Sequence, residues 1–379
     1  MITVDYPELH KKVRPGDIFL IDDGATKFKI REIKKHDLVC TALNDGVIKN
    51  RKGLNFPDIS FEREYLSEQD KKLVRFAIKH NLTFLGLSYV NSKEDVENVK
   101  RLLKGTPIKI VSKIETKKAL ENYFDIIDSS YGIMIDRGDL GSEVSIEKLP
   151  KLQKRIINEC NIQGKPVIIA TQMMDSMTRN PFPTKSEITD VANAVLDGAS
   201  ALMLSQETAV GNYPVETVKT MKNIIQEIED EVSFTIHDER IDQDNYTDII
   251  GFTINQILKK IAIDKIICIT SGGFSARMLS RYKFNVPLIA ITNDCNIVKR
   301  LNLLWGVIPI KVDEDIDNSV SVEQKKTAVV HTINQGLVDI DDTILLTGAV
   351  FPNNRKIINM VEIHKVRELL GFFKMKNQE

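Results

Sequence analysis

The segment Ile108–Glu115 holds residue types from which chemistry can be built. Read as a strand, its period of two sends Ile108, Ile110, Ser112 and Ile114 to one face and Lys109, Val111, Lys113 and Glu115 to the other. The apolar set suits a helix-packed outer face. A lysine and a carboxylate facing inward near the strand's C-terminal end are costly unless they meet partners, a metal or a substrate; a structural ion pair accounts for them as well. The next apolar segment, Gly132–Asp139, runs into Asp136-Arg137-Gly138-Asp139-Leu140-Gly141. Its glycines let a backbone approach a ligand, and Glu115 with Asp139 form a hard-cation site of the kind Mg²⁺ takes. Taken alone, Asp139 is better read as a residue of a Gly-Asp turn. Segment Pro166–Met173 brings Thr171, either a polar group at the mouth of the fold or a hydroxyl capping the following helix. Segment Ala201–Glu207 brings Ser205 and Glu207. Four consecutive strands thus place polar groups at the end where parallel α/β barrels build active sites.

These strands, together with Phe84–Tyr89, must be held by the helical segments between them, such as Ser92–Leu103, Glu147–Gln163 and Lys185–Leu196. Strands alternating with helices predict βαβ units and a parallel sheet. Before them, the β-type runs Ile18–Ile21, Phe28–Ile30 and Leu38–Thr41 are punctuated by turn signals at Gly16-Asp17, Asp22-Asp23-Gly24 and Asn44-Asp45-Gly46, which predicts a small all-β module. After them, Lys265–Thr270, Pro287–Thr292, Val307–Val312 and Thr343–Thr347 predict a second, open α/β unit, reached through the acidic stretch Glu227–Asp244. The expected organisation is residues 1–62, 63–232 and 233–379.

The chain has 379 residues, enough for two or three domains at about 150 each. Lys and Arg number 52 against 53 Asp and Glu, so the basic excess of a nucleic-acid or membrane-surface binder is missing. Apolar runs such as Ile266–Ile269 fall far short of the ~18 residues of a membrane span. Met1-Ile2-Thr3-Val4-Asp5 has no secretion-signal character. Four cysteines and six histidines show no metal-ligand spacing, and a reducing, cytoplasmic setting is expected.

Taken together, Ile110-Val111-Ser112-Lys113-Ile114-Glu115, Arg137-Gly138-Asp139-Leu140-Gly141, Ala170-Thr171-Gln172-Met173, Asp190–Ala199 and Met203-Leu204-Ser205-Gln206-Glu207-Thr208-Ala209 resemble pyruvate kinase. Arg14–Asp17 through Asp22–Gly24, with Lys52–Pro57, resemble the family's β-rich lid, and residues from about 247 onward its C-terminal effector domain. The resemblance implies an incomplete TIM-type (β/α) barrel with an N-terminal lid and a C-terminal open α/β domain. It implies phosphoryl transfer between phosphoenolpyruvate and ADP in a cytoplasmic homo-oligomer, a tetramer in the family, with no nucleic-acid or membrane partner. By the same resemblance, Lys113 sits against the phosphoryl group and enolate oxygen, and Glu115 and Asp139 hold Mg²⁺ or Mn²⁺. Gly138, Asp139 and Thr171 bind the substrate carboxylate, Thr171 relays a proton, Lys52 reaches the nucleotide phosphates, and Ser205 lies near the proton path.

The sequence also departs from the family. The lid stands first instead of after the third barrel strand, and five barrel strands are found where eight close a barrel. The family's phosphate-binding arginine, its K⁺ ligands and its Asp-Thr-Lys-Gly-Pro segment have no counterpart, so little turnover is expected from this chain alone. The alternative reading is a degenerate paralogue serving as a binding or regulatory module. Asp136 stands where many relatives have alanine, and Gln206 replaces a common glycine. Thr270-Ser271-Gly272-Gly273-Phe274-Ser275 resembles the effector-phosphate loop with phenylalanine at its arginine position, which makes Thr270, Ser271 and Ser275 effector candidates or a plain helix start. The loop Thr347–Arg355 lacks the usual glycine-rich pattern.

Overall fold

In the computed structural model, residues 2–4, 6, 8–22, 24–48, 50, 52–56, 59, 65–231, 246–316, 320–349 and 357–376 are described. Three sheets organise them. The first is antiparallel, in the order β3-β2-β1-β4, from β1 (Ile18–Ile21), β2 (Thr26–Lys34), β3 (Asp37–Ala42) and β4 (Leu54–Asn55). Phe19, Ile21, Ile30 and Phe56 form its core with Leu9 and Val13, at and just after the short helix α1 (Leu9–Lys12).

The second sheet contains β5 (Phe84–Leu87), β6 (Lys109–Ile114), β7 (Gly132–Asp136), β8 (Val167–Ala170) and β9 (Ala201–Met203), in chain order and all parallel. Among the described residues β9 does not return to β5, so the sheet is open. Its helices are α2 (Glu68–Lys79), α3 (Lys93–Leu102), α4 (Lys117–Glu121), α5 (Tyr123–Ser129), α6 (Arg137–Glu143), α7 (Leu149–Ile162), α8 (Lys185–Leu196), α9 (Gln206–Ala209) and α10 (Pro214–Ile228). Ser67, Ser92 and Thr184 start α2, α3 and α8 with capping boxes closed by Asp70, Asp95 and Glu187. Val96 and Val99, three apart on α3, face the core built by Ile110, Ile114, Ile133, Ile135 and Ile169. Ile110 and Ile114 therefore point to the helix-covered face, as the alternation predicts.

The third sheet runs β12-β11-β10-β13-β14, from β10 (Lys265–Ile269), β11 (Leu288–Thr292), β12 (Val307–Lys311), β13 (Thr343–Gly348) and β14 (Met360–Lys365). Only β14 is antiparallel. Around it lie α11 (Tyr246–Leu258), α12 (Phe274–Ser280), α13 (Cys295–Leu301), α14 (Val322–Asn334) and α15 (Val366–Lys376). The strand β14 is not among those expected from sequence, although Val361-Glu362-Ile363-His364 carries the alternation.

Several parallel strands end earlier than expected, and each stop has a cause. β7 ends at Asp136, which caps α6, so Gly138 and Asp139 lie in a helical first turn. β8 ends at Ala170 because Thr171 and Gln172 both take positive φ, 66° and 54°. β9 ends at Met203, three residues before α9. The expected connection Glu227–Asp244 lies outside the described residues from 232 on, as does Thr347–Arg355 from 350 on.

The second and third sheets touch through arginines. Arg281 Nη1 donates to Ile162 O and Arg277 Nη1 to Gly164 O, each at 3.0 Å. Arg277 of α12 and Arg281 just after it thus serve carbonyls at the C-terminus of α7, where a helix favours positive charge. On the other side Arg281 is ion-paired with buried Asp248 of α11 at 2.7 Å.

Candidate functional site

The C-terminal ends of β5 through β8 converge on Lys113. Its ammonium meets the Glu115 carboxylate, lies 3.0 Å from Asp136 Oδ2 and donates to Ser88 Oγ at 3.4 Å. Glu115, one residue past β6, is 1% exposed. Its Oε2 accepts the Tyr89 N–H at 2.6 Å, from the turn after β5. Oxygens of Glu115, Asp136 and Asp139 all lie within 4.8 Å of one another.

One ammonium faces three carboxylates, so the cluster keeps an excess of negative charge that suits a divalent cation. All the donors are carboxylate oxygens, as Mg²⁺ and Mn²⁺ prefer, at a spacing that a six-coordinate ion with bonds of about 2.1 Å can gather. Burial alone would lower Lys113, but its hydrogen bonds and charge contacts with Glu115 and Asp136 outweigh burial and hold the ammonium above its ordinary range. The Tyr89 phenol is pushed up to about 12, by burial first and then by the charges of Asp139 and Glu115.

Thr171 joins this cluster from β8. Its Oγ1 accepts the Gly138 N–H at 2.8 Å and donates to Asp136 Oδ1 at 3.0 Å. The hydroxyl caps the first turn of α6, the helix of the neighbouring strand, not a helix following Thr171. A β-branched residue at φ 66° is strained. The strain is held by Arg137, whose Nη2 donates to Thr171 O and Gln172 O at 2.9 and 2.7 Å. The same guanidinium grips Asp190 of α8 through two bonds of 2.9 and 2.7 Å. Sequence reading missed this clamp and the Tyr89 N–H. Arg137 and Asp190 both lie in the quoted motifs, and their opposite charges were the available signal; Tyr89 offered none beyond its place after a strand.

Other expected residues sit elsewhere. Ser205 precedes α9, and its Oγ is buried without a hydrogen bond among the described residues. Beside it, fully buried Glu207 accepts from Ser205 N at 2.8 Å and Met174 N at 3.1 Å, tying the ends of β8 and β9 together. Lys52 belongs to the first sheet's loop and pairs with Asp22 at 2.7 Å. Three residues on, Asn55 of β4 donates to Ser142 of α6 at 2.7 Å, so this strand abuts the helix that carries Asp139. Thr270, Ser271 and Ser275 lie apart, at the end of β10 and the start of α12. Thr270 Oγ1 accepts the Gly273 N–H at 3.0 Å, Ser275 is buried, and Gly273 takes φ 76°.

The comparisons with known proteins give the family. Family descriptions match residues 1–218 as "Pyruvate kinase, barrel domain" and residues 248–364 as "Pyruvate kinase, alpha/beta domain". Pyruvate kinase of Clostridium acetobutylicum is 36% identical over 372 residues, which cover 96% of this chain and 78% of that protein. The enzyme of Geobacillus stearothermophilus is also 36% identical, over 98% of this chain and 64% of its own length. That of Lactobacillus delbrueckii subsp. bulgaricus is 37% identical, over 92% and 61%. The chain thus spans about three quarters of the first relative and less than two thirds of the other two.

Proposed function

The chain belongs to the pyruvate kinase family, enzymes that carry a phosphoryl group between phosphoenolpyruvate and ADP, and we propose that the rim around Lys113 is where this chain does so. The observation that carries this reading is the meeting of Lys113 with Glu115 and Asp136, beside Asp139, at the C-terminal ends of adjacent parallel strands. Phosphoryl transfer asks for charge neutralisation and positioning more than for covalent chemistry. The Lys113 ammonium, kept charged by its carboxylates, neutralises charge on the phosphoryl oxygens and on the enolate oxygen as it develops.

The family generally depends on Mg²⁺ and K⁺. Glu115, Asp136 and Asp139 would hold Mg²⁺ or Mn²⁺, which supplies Lewis-acid polarisation of the substrate oxygens when bound. The N–H of Asp139, in the first turn of α6, orients the substrate carboxylate, with the Gly138 N–H held alongside it by Thr171 Oγ1. Thr171 Oγ1, wedged between Gly138 N and Asp136, holds the proton destined for the enolate carbon. Lys52 approaches the nucleotide phosphates from the loop before β4, the strand that abuts α6. Ser205, whose hydroxyl is without a partner among the described residues, extends the proton path. Thr270, Ser271 and Ser275 take an effector phosphate at the third sheet. We read the chain as a cytosolic homo-oligomer, a reading supported by the exposed Phe182 and Val210; among the described residues, no helix is long and apolar enough to cross a membrane. Nothing in the geometry favours the binding-module alternative.

A lactate dehydrogenase-coupled assay with phosphoenolpyruvate, ADP and Mg²⁺ tests the assignment. The low turnover left to this chain without the family's phosphate-binding arginine should fall further, by up to about 10³-fold, in Lys113→Met and in Glu115→Gln. Undiminished turnover in either variant would remove this site.

A further inference from the structure

The opposite end of the parallel sheet is cationic. Lys109 opens β6, Tyr131 precedes β7 and Lys165 precedes β8. From the third sheet's helices, Arg277 of α12 and Arg300 of α13 reach the same rim. Arg277 Nη1 bonds Gly164 O at 3.0 Å, next to Lys165, and Arg300 Nη2 bonds Pro107 O at 2.5 Å, two residues before Lys109. Tyr131 OH donates to Arg300 O at 3.4 Å, and Lys165 Nζ donates to Ser130 O at 2.6 Å and Asp128 O at 2.9 Å.

Backbone carbonyls satisfy some of these donors, but they carry no formal charge to set against four cations. The carboxylate that acts on Lys165 is Asp128, and its Oδ2 is paired with Lys93 at 3.2 Å. Lys100, behind the rim, is paired with Glu97 at 2.6 Å. Among the described residues, Lys109 is half-buried with no ion pair, and Arg300 Nε is buried with no hydrogen bond. The repulsion is felt: burial first, then neighbouring cations including Arg277, lowers both Lys109 and Lys165. A cluster of cations held where two units meet attracts an anion that brings the missing charge.

We propose that Lys109, Lys165, Arg277 and Arg300 form a binding site for a phosphate-bearing small anion, bridging the base of the parallel sheet and the C-terminal α/β unit. The guanidiniums supply planar donor pairs to phosphate oxygens, and Lys109 supplies a point charge. The site lies at the strand ends opposite Lys113 and does not depend on the reading of that end.

Inorganic pyrophosphate, titrated calorimetrically into the full chain in metal-free buffer, tests it. Saturable binding is expected, weakened about tenfold or more in Lys109→Met by loss of a charge-assisted contact. The same affinity should persist in Lys113→Met and in Ser271→Ala/Ser275→Ala, which separates this site from the other two phosphate candidates. Lys109→Arg, which keeps the charge, should restore binding and guards against misfolding as the cause. No saturable binding, or binding lost in Lys113→Met or the serine variant but kept in Lys109→Met, overturns the proposal.

Discussion

Lys109 and Lys113 stand four residues apart on the same face of β6, yet their surroundings push them in opposite directions. At the C-terminal end of the sheet, Lys113 meets Glu115 and Asp136 and is held above its ordinary range despite burial. At the N-terminal end, Lys109 is half-buried near Arg300, Lys100 and Arg277 and is lowered, by burial first. Burial opposes the charge at both ends, so the neighbours decide the sign. The two proposals follow that contrast, a cation gathered at one end of the sheet and an anion at the other.

Four experiments would break or sharpen that contrast. The largest effect belongs to Lys113→Met, which strands Glu115, 1% exposed, without its cation. Urea unfolding in metal-free buffer should show a loss of about 3 kcal/mol, as for other buried pairs broken on one side. Lys109→Met should instead hold or raise the midpoint, and equal losses in the two variants would erase the contrast. Next is Arg137→Ala, which releases two positive-φ carbonyls and Asp190; since Asp190 is 38% exposed, a loss of about 2–3 kcal/mol is expected from the same measurement.

Thr171→Val comes third. It keeps the strained shape but leaves the Gly138 N–H without its acceptor, and should cost about 1–2 kcal/mol, whereas Thr171→Ser should retain the coupled-assay turnover of the parent. The fourth test is the pH response of Lys165, lowered to about 8 chiefly by burial and then by Arg277. Between that value and the ordinary lysine range the unfolded chain binds more protons than the folded one, so stability rises with pH. The penalty is complete below about pH 8 and is relieved as pH climbs toward about 10. Thermal melts of the parent relative to Lys165→Met should converge over that window; parallel curves would contradict the assignment.

The alternation in Ile108–Glu115 was enough to place Lys113 and Glu115 on the inner face and Ile110 and Ile114 in the core, because a strand's period is local. Asp139 was legible for a related reason, since parallel neighbours end at one rim. The clamp was not, because Arg137 and Asp190 are 53 residues apart and only the fold brings them together. The early ends of β8 and β7 were hidden too. Nothing in threonine's type announces a positive φ that tertiary bonds impose. The cationic rim is the extreme case, with Arg300 bonded to a carbonyl 193 residues away and no basic run in the sequence to betray it.

The central claim is that Glu115, Asp136 and Asp139 gather one divalent ion beside Lys113. Water-proton relaxation with Mn²⁺ measures this directly. One saturable Mn²⁺ per chain is expected, displaced by Mg²⁺ and lost in both Glu115→Gln and Asp139→Asn. Undiminished Mn²⁺ binding in those two variants would contradict it.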